Sequence, residues 1–90
     1  MLEVTEEALQ YLLRSLRGRK APDHVAMRMT RRSGVLEIAP DQEDGGDQGF
    51  DVEDRTVLLV NQALAREMDG QRLCVAENSD GLAELCIVPS

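Results

Sequence analysis

Two cysteines, one histidine, an arginine-rich first third and a carboxylate-rich middle are the parts of this chain with chemistry to offer. Cys74 and Cys86 each sit inside an apolar alternation, Leu73-Cys74-Val75 and Leu85-Cys86-Ile87. A cysteine in that setting reads first as a small buried hydrophobe. If the two strands that carry them are neighbours in register, the thiols come close enough to bridge or to share a metal. That pair is the basis of an alternative reading, a small metal-binding or redox protein using Cys74 and Cys86.

The remaining candidates are weaker. His24 follows Pro22-Asp23, the setting of a surface loop residue rather than a base or ligand, and Ser33 has no evident base. The segment Asp41 to Gly49, DQEDGGDQG, invites comparison with a calcium loop, but Val52 stands where a bidentate Glu is required. Gly45-Gly46 is followed by no strand-to-helix junction with a Lys, so it is not a phosphate cradle. No catalytic constellation emerges. The chain reads as a non-enzyme without a cofactor.

Charge is segregated along the sequence. Arg14, Arg17, Arg19, Lys20, Arg28, Arg31 and Arg32 are opposed in their own region by Asp23 alone. Asp41, Glu43, Asp44, Asp47, Asp51, Glu53 and Asp54 follow with no basic residue among them. These two blocks read as solvated faces that meet each other in the fold, or, more sharply, as a docking surface for a protein partner on Arg28, Arg31 and Arg32. The net charge of −7 argues against nucleic acid, whose binding rests on counterion release at basic patches. One Tyr, one Phe and no Trp offer few rings on which bases could stack.

Ninety residues make a single domain, 1–90, whose core must be aliphatic. MLEVTEEAL has neither a basic nor an apolar leader region, and no apolar run approaches the length of a membrane span. The expected setting is soluble and cytoplasmic, with both thiols reduced.

The positioning elements follow from spacing. Thr5 caps a helix over 6–17, with Glu6 and Glu7 in its first turn and Ala8, Leu9, Leu12, Leu13 and Leu16 on one stripe. Gly18 ends it. A short leading strand over Leu2 to Val4 precedes it. Val25 to Thr30 and Val35 to Ala39 alternate as two strands around an Arg31-Arg32-Ser33-Gly34 turn, and Pro40 closes the second. DQEDGGDQG reads as a flexible solvent-facing loop. Phe50 and Val52 form a short strand, Glu53-Asp54 a two-residue turn, and Thr56 to Val60 a buried strand. Asn61 caps a short helix over 62–68, Asp69-Gly70 stops it, and Gln71 to Glu77 is extended with Leu73 and Val75 on one face. After Asn78-Ser79-Asp80-Gly81, Leu82 to Val88 is a last strand, ended by Pro89. The sum is an α+β domain of mixed and antiparallel sheets.

The order of VTEEAL, a strand-loop-strand with an SG turn, GFDVEDRTVLLV and LAREMDGQRL resembles the HesB/IscA-like A-type iron–sulfur cluster carrier family, from Val4 to about Ile87. The resemblance implies small sheets in a sandwich-like arrangement flanked by two helices, and a role in iron–sulfur biogenesis with assembly components as partners. It also implies three cluster-binding cysteines, one in a Cys-Ser-Gly or Cys-Ala-Gly turn and two in a Cys-Gly-Cys-like tail. Here the turn reads Arg32-Ser33-Gly34, the sequence runs to Ser90 without such a tail, and Cys74 and Cys86 match no ligand position. A guanidinium offers iron no lone pair. The expectation is therefore a ligand-free relative kept as a protein-interaction or accessory module in iron–sulfur metabolism. A cluster on Cys74 and Cys86 needs both to face outward together, which their apolar flanks argue against.

Overall fold

The computed structural model describes all residues, 1–90. Its order is β1 (Glu3–Val4), α1 (Glu6–Gly18), β2 (Val25–Arg32), β3 (Val35–Gln42), β4 (Asp47–Val52), β5 (Arg55–Asn61), α2 (Gln62–Glu67), β6 (Gln71–Glu77) and β7 (Ala83–Pro89). The seven strands form a four-stranded sheet in the order β3-β2-β5-β4 and a three-stranded sheet in the order β1-β6-β7. Each sheet is mixed. β2 runs parallel to β5 and β1 parallel to β6, while the hairpins β2–β3, β4–β5 and β6–β7 are antiparallel.

Helix α1 forms where the stripe and the cap agree. Thr5 Oγ1 accepts from the Ala8 N–H at 3.1 Å, and Ala8, Leu12, Leu13 and Leu16 are buried against β5 and β6. Leu9, the fifth member of the stripe, is only partly buried. Gly18 remains inside the helix, and it is Lys20, not the glycine, that takes the left-handed conformation (φ 55°). At α2 the expectation holds: Asn61 caps the start and Gly70 (φ 81°) turns the chain into β6.

β5 is the central strand. Val57, Leu58, Leu59 and Val60 are all fully buried, in a strand flanked by β2 and β4 and contacted by both α1 and α2. Between Phe50 and Asp51 the register shifts by one, leaving Val57 of β5 as the extra residue of a bulge. Met29, Leu36 and Ile38 of the larger sheet line one apolar cleft with Leu73, Leu85 and Ile87 of the smaller, so the sheets approach each other through their inner faces.

Two expected turns are two-residue hairpin turns with positive φ throughout, Ser33-Gly34 (52° and 79°) and Glu53-Asp54 (52° and 63°). Several boundaries differ from expectation, and β2 is one of them: it runs through Arg31 and Arg32, which leaves only Ser33-Gly34 in the turn. Pro40 does not close β3: the strand continues to Gln42, which an edge strand permits because the missing donor points away from the ladder. The expected flexible loop over 41–49 is mostly strand, with Asp47 to Gly49 in β4, for the side-chain reason given below. Pro89 is likewise the last paired residue of β7, opposite Gln71, rather than its stop. No helix is long and apolar enough to cross a membrane.

Candidate functional site

The arginine block divides on folding. Arg28 lies mid-strand in β2, between β3 and β5, and its guanidinium reaches the segment that joins β3 to β4. Nη1 and Nη2 donate to the two oxygens of Asp47 at 2.5 and 2.7 Å. Nε donates to Asp41 Oδ2 at 2.7 Å, and Nη2 also to the Gln42 carbonyl at 2.9 Å. The Asp47 side chain is 2% exposed, and its Oδ2 also accepts from the Asp44 N–H at 2.9 Å. This fork is what removes the loop's freedom. The bond to Arg28 holds the Asp47 carboxyl below the ordinary range, and the Gln42 N–H followed by Arg28 does the same for Asp41. Arg28 itself is pushed upward, chiefly by Asp47. Of the expected docking surface on Arg28, Arg31 and Arg32, Arg28 is thus an internal tether.

Arg31 and Arg32 are different. Both are exposed at the end of β2, beside the Ser33-Gly34 turn. Arg31 Nη1 donates to Glu67 Oε2 at 3.1 Å across the surface, an exposed pair of little energetic weight. Arg32 pairs with Val35 in the ladder, and its side chain makes no hydrogen bond or ion pair. Val35 beside it is 60% exposed, so this corner joins a free cation to an apolar side chain.

The cysteines occupy the other sheet. Cys74 of β6 and Cys86 of β7 stand directly opposite each other in register, with their sulfurs 2.7 Å apart. Both are half-buried, and neither is in the core. The buried-hydrophobe expectation is therefore overturned. In an alternating strand the inward set here is Leu73 and Val75 with Ile87 and Leu85, which sends Cys74 and Cys86 to the opposite face together. The apolar flanks that argued against a shared outward face are the reason for it. The hydrogen bond with Cys74, followed by burial, pushes the Cys86 thiol above its ordinary value. No third His, Cys, Asp or Glu gathers with them into a metal-binding group.

His24 is exposed on the rim of a polar cleft with Arg17, Asp23, Glu43, Glu53 and Arg55. The residue that organises this region is one the sequence did not single out. Arg55 Nη2 donates to the carbonyls of Ala21, Pro22 and Val25 at 3.3, 2.9 and 3.1 Å, pinning the α1–β2 connection against β5. Asp47 was equally unmarked among its neighbouring carboxylates. Neither has a local signal, because each depends on strands far apart in sequence becoming neighbours.

No family model matches the chain, and no curated protein matches it. Among solved structures, the crystal structure of IscA with the [2Fe-2S] cluster matches with a TM-score of 0.59 and 15% identity, over 99% of this chain and 85% of that one. An identity that low speaks to architecture, and the α+β arrangement of two mixed sheets and two helices fits it. The chain has an IscA-like fold.

Proposed function

We propose that this protein is a non-cluster-binding relative of the A-type iron–sulfur carriers, acting as a protein-interaction or accessory module in iron–sulfur metabolism. The observation that carries the reading is Arg32. It ends β2 at the hairpin corner where the resembled family places its first cysteine, and its guanidinium is exposed and unpaired. The four-stranded sheet carries no cysteine at all, and the two in the other sheet are turned toward each other. A corner that presents a cation in place of a thiolate is suited to meeting an acidic surface on another protein. The exposed Val35 alongside supplies apolar contact.

The partner class is a component of the host's iron–sulfur assembly machinery. The test is direct binding of purified assembly components, compared between wild type and the Arg31→Glu, Arg32→Glu double variant. The expected outcome is binding at low salt that weakens at least about tenfold on reversal, mainly through the association rate, with the thermal midpoint unchanged. Equal binding by wild type and variant removes this corner from the interface. Absence of binding to every assembly component removes the accessory role.

A further inference from the structure

We propose that Cys74 and Cys86 form a redox-active dithiol that closes reversibly into a cross-strand disulfide by exchange with low-molecular-weight disulfides. This is independent of the corner at Arg32, which lies on the other sheet.

The register fixes the geometry. The Asn78 N–H donates to the Leu82 carbonyl at one end of the β6–β7 hairpin, and the Ser90 N–H to the Gly70 carbonyl at the other. Hydrogen-bonded and non-hydrogen-bonded pairs alternate along an antiparallel ladder. The pairing runs unbroken between those two bonds, so Cys74 and Cys86, four positions from each, form a hydrogen-bonded pair. Such pairs hold their Cα atoms about 5.5 Å apart. Disulfides span about 4.4–6.8 Å between Cα atoms, which includes that separation, but bring their Cβ atoms to about 3.5–4.5 Å against about 4.5–5.5 Å for directly opposed residues, so closure combines side-chain rotation with a small local approach of the two strands. The contact between the two sulfurs shows that the side chains already converge.

Access comes from the outward face. Neither thiol is sealed in the core, and β7 is the edge strand of its sheet. A small disulfide can therefore reach the pair without opening the fold. Around it on the same face the ladder places Arg72 with Val88 and Ala76 with Glu84. Arg72 is held by Glu3 at 3.0 Å, so the pair has no dedicated cation of its own. The hydrogen bond with Cys74, followed by burial, holds the Cys86 thiol above its ordinary value, so exchange at that sulfur proceeds through a small fraction of thiolate.

The chemistry balances in two displacements. One cysteine thiolate attacks a sulfur of the small disulfide, whose S–S bond breaks. A mixed disulfide forms, and one small thiolate leaves and takes up the proton that the attacking thiol had lost. The second cysteine, deprotonated, attacks the protein sulfur of the mixed disulfide. The Cys74–Cys86 bond forms, and the second small thiol leaves with the second proton. Two protein thiols are oxidised and one small disulfide is reduced. An excess of the small thiol reverses both steps, as expected of a solvent-accessible bridge. Two thiolates alone do not complete the coordination of zinc or of an iron–sulfur cluster, so a disulfide is the chemistry that the pair completes by itself.

The experiment exposes reduced wild-type protein to oxidised glutathione at neutral pH, quenches with acid, alkylates under denaturing conditions and measures the intact mass. The expected product is a monomer lighter by two hydrogens, with no alkylated cysteine, which regains two alkylatable thiols in excess reduced glutathione. Cys86→Ser and Cys74→Ser should each stall as the chain carrying one glutathione. Closure of the mixed disulfide should be at least about tenfold faster in the folded chain than in urea, because the fold holds the two sulfurs together. Two persistent free thiols in wild type, stable glutathione adducts on it, a disulfide-linked dimer, or equal closure rates with and without urea would overturn the proposal.

Discussion

Replacing Asp47 by Asn tests whether the fork at Arg28 holds the loop between β3 and β4. The substitution keeps the size and one acceptor but removes the charge, and it sets an amide N–H₂ against a guanidinium that has only donors. Arg28 then retains Asp41, whose side chain is 54% exposed, and the Gln42 carbonyl. Removing one partner of a fully buried pair costs about 3–5 kcal/mol. Arg28 is 17% exposed and keeps its second carboxylate, so the cost here should be about 2–3 kcal/mol. Against a typical domain stability of about 5–15 kcal/mol, that is a large shift in a urea denaturation midpoint at neutral pH.

The pH dependence supplies a second, sharper reading. The folded carboxyls of Asp47 and Asp41 are held below the ordinary aspartate range. Below about pH 4 the unfolded chain, with ordinary Asp residues, binds more protons than the folded one, so stability falls with pH. The contribution is therefore complete above the unfolded value and is lost as pH falls through the depressed folded values. Asp47→Asn lacks its share of that loss, so the gap between wild type and variant should narrow from pH 6 to pH 3. A difference under about half a kcal/mol at neutral pH, the usual range of a surface substitution, or a gap constant with pH, would refute the tether.

Leu12 is fully buried on the inner face of α1, so Leu12→Ala should cost about 2–5 kcal/mol in chemical denaturation, and a loss under about half a kcal/mol would detach the helix from the core. Closing Cys74 to Cys86 links positions 12 residues apart, so the oxidised protein should gain up to about 3 kcal/mol over the reduced form by the chain-entropy treatment of disulfides. A bridge that lowers the urea midpoint would show that the reduced side-chain arrangement is not preorganised for closure.

Much of the fold was legible because its signals are local. Thr5 and Asn61 cap the helices, Gly70 turns α2 into β6, and the Ser33-Gly34 and Glu53-Asp54 turns separate alternating strands. The cysteine pair was legible only in part. Alternation fixed that Cys74 and Cys86 each oppose their flanking residues, but not which of the two faces meets the core. A one-residue change of register would exchange those faces, and only the packing of Leu73, Val75, Leu85 and Ile87 decides between them. Arg28, Asp47 and Arg55 were illegible as partners for a different reason. Arg28 and Asp47 are 19 residues apart and Arg55 and Ala21 are 34 apart, and they meet only because β5 inserts beside β2 with β4 beyond it. Composition showed two opposed charge blocks, and sheet order decided which arginine would be tethered and which left free.

The measurement closest to the proposed function is anaerobic reconstitution of the purified, reduced protein with ferrous iron, sulfide and reductant, followed by desalting and assay of iron, acid-labile sulfide and visible absorption. With Arg32 at the hairpin corner and one pair of thiols per chain, the expected result is no retained sulfide-to-iron charge-transfer band and no stoichiometric iron. A stable [2Fe-2S] signal of one cluster per two chains, abolished by Cys74→Ala or Cys86→Ala, would mean that two outward-facing pairs join in a dimer and would contradict a non-cluster-binding role.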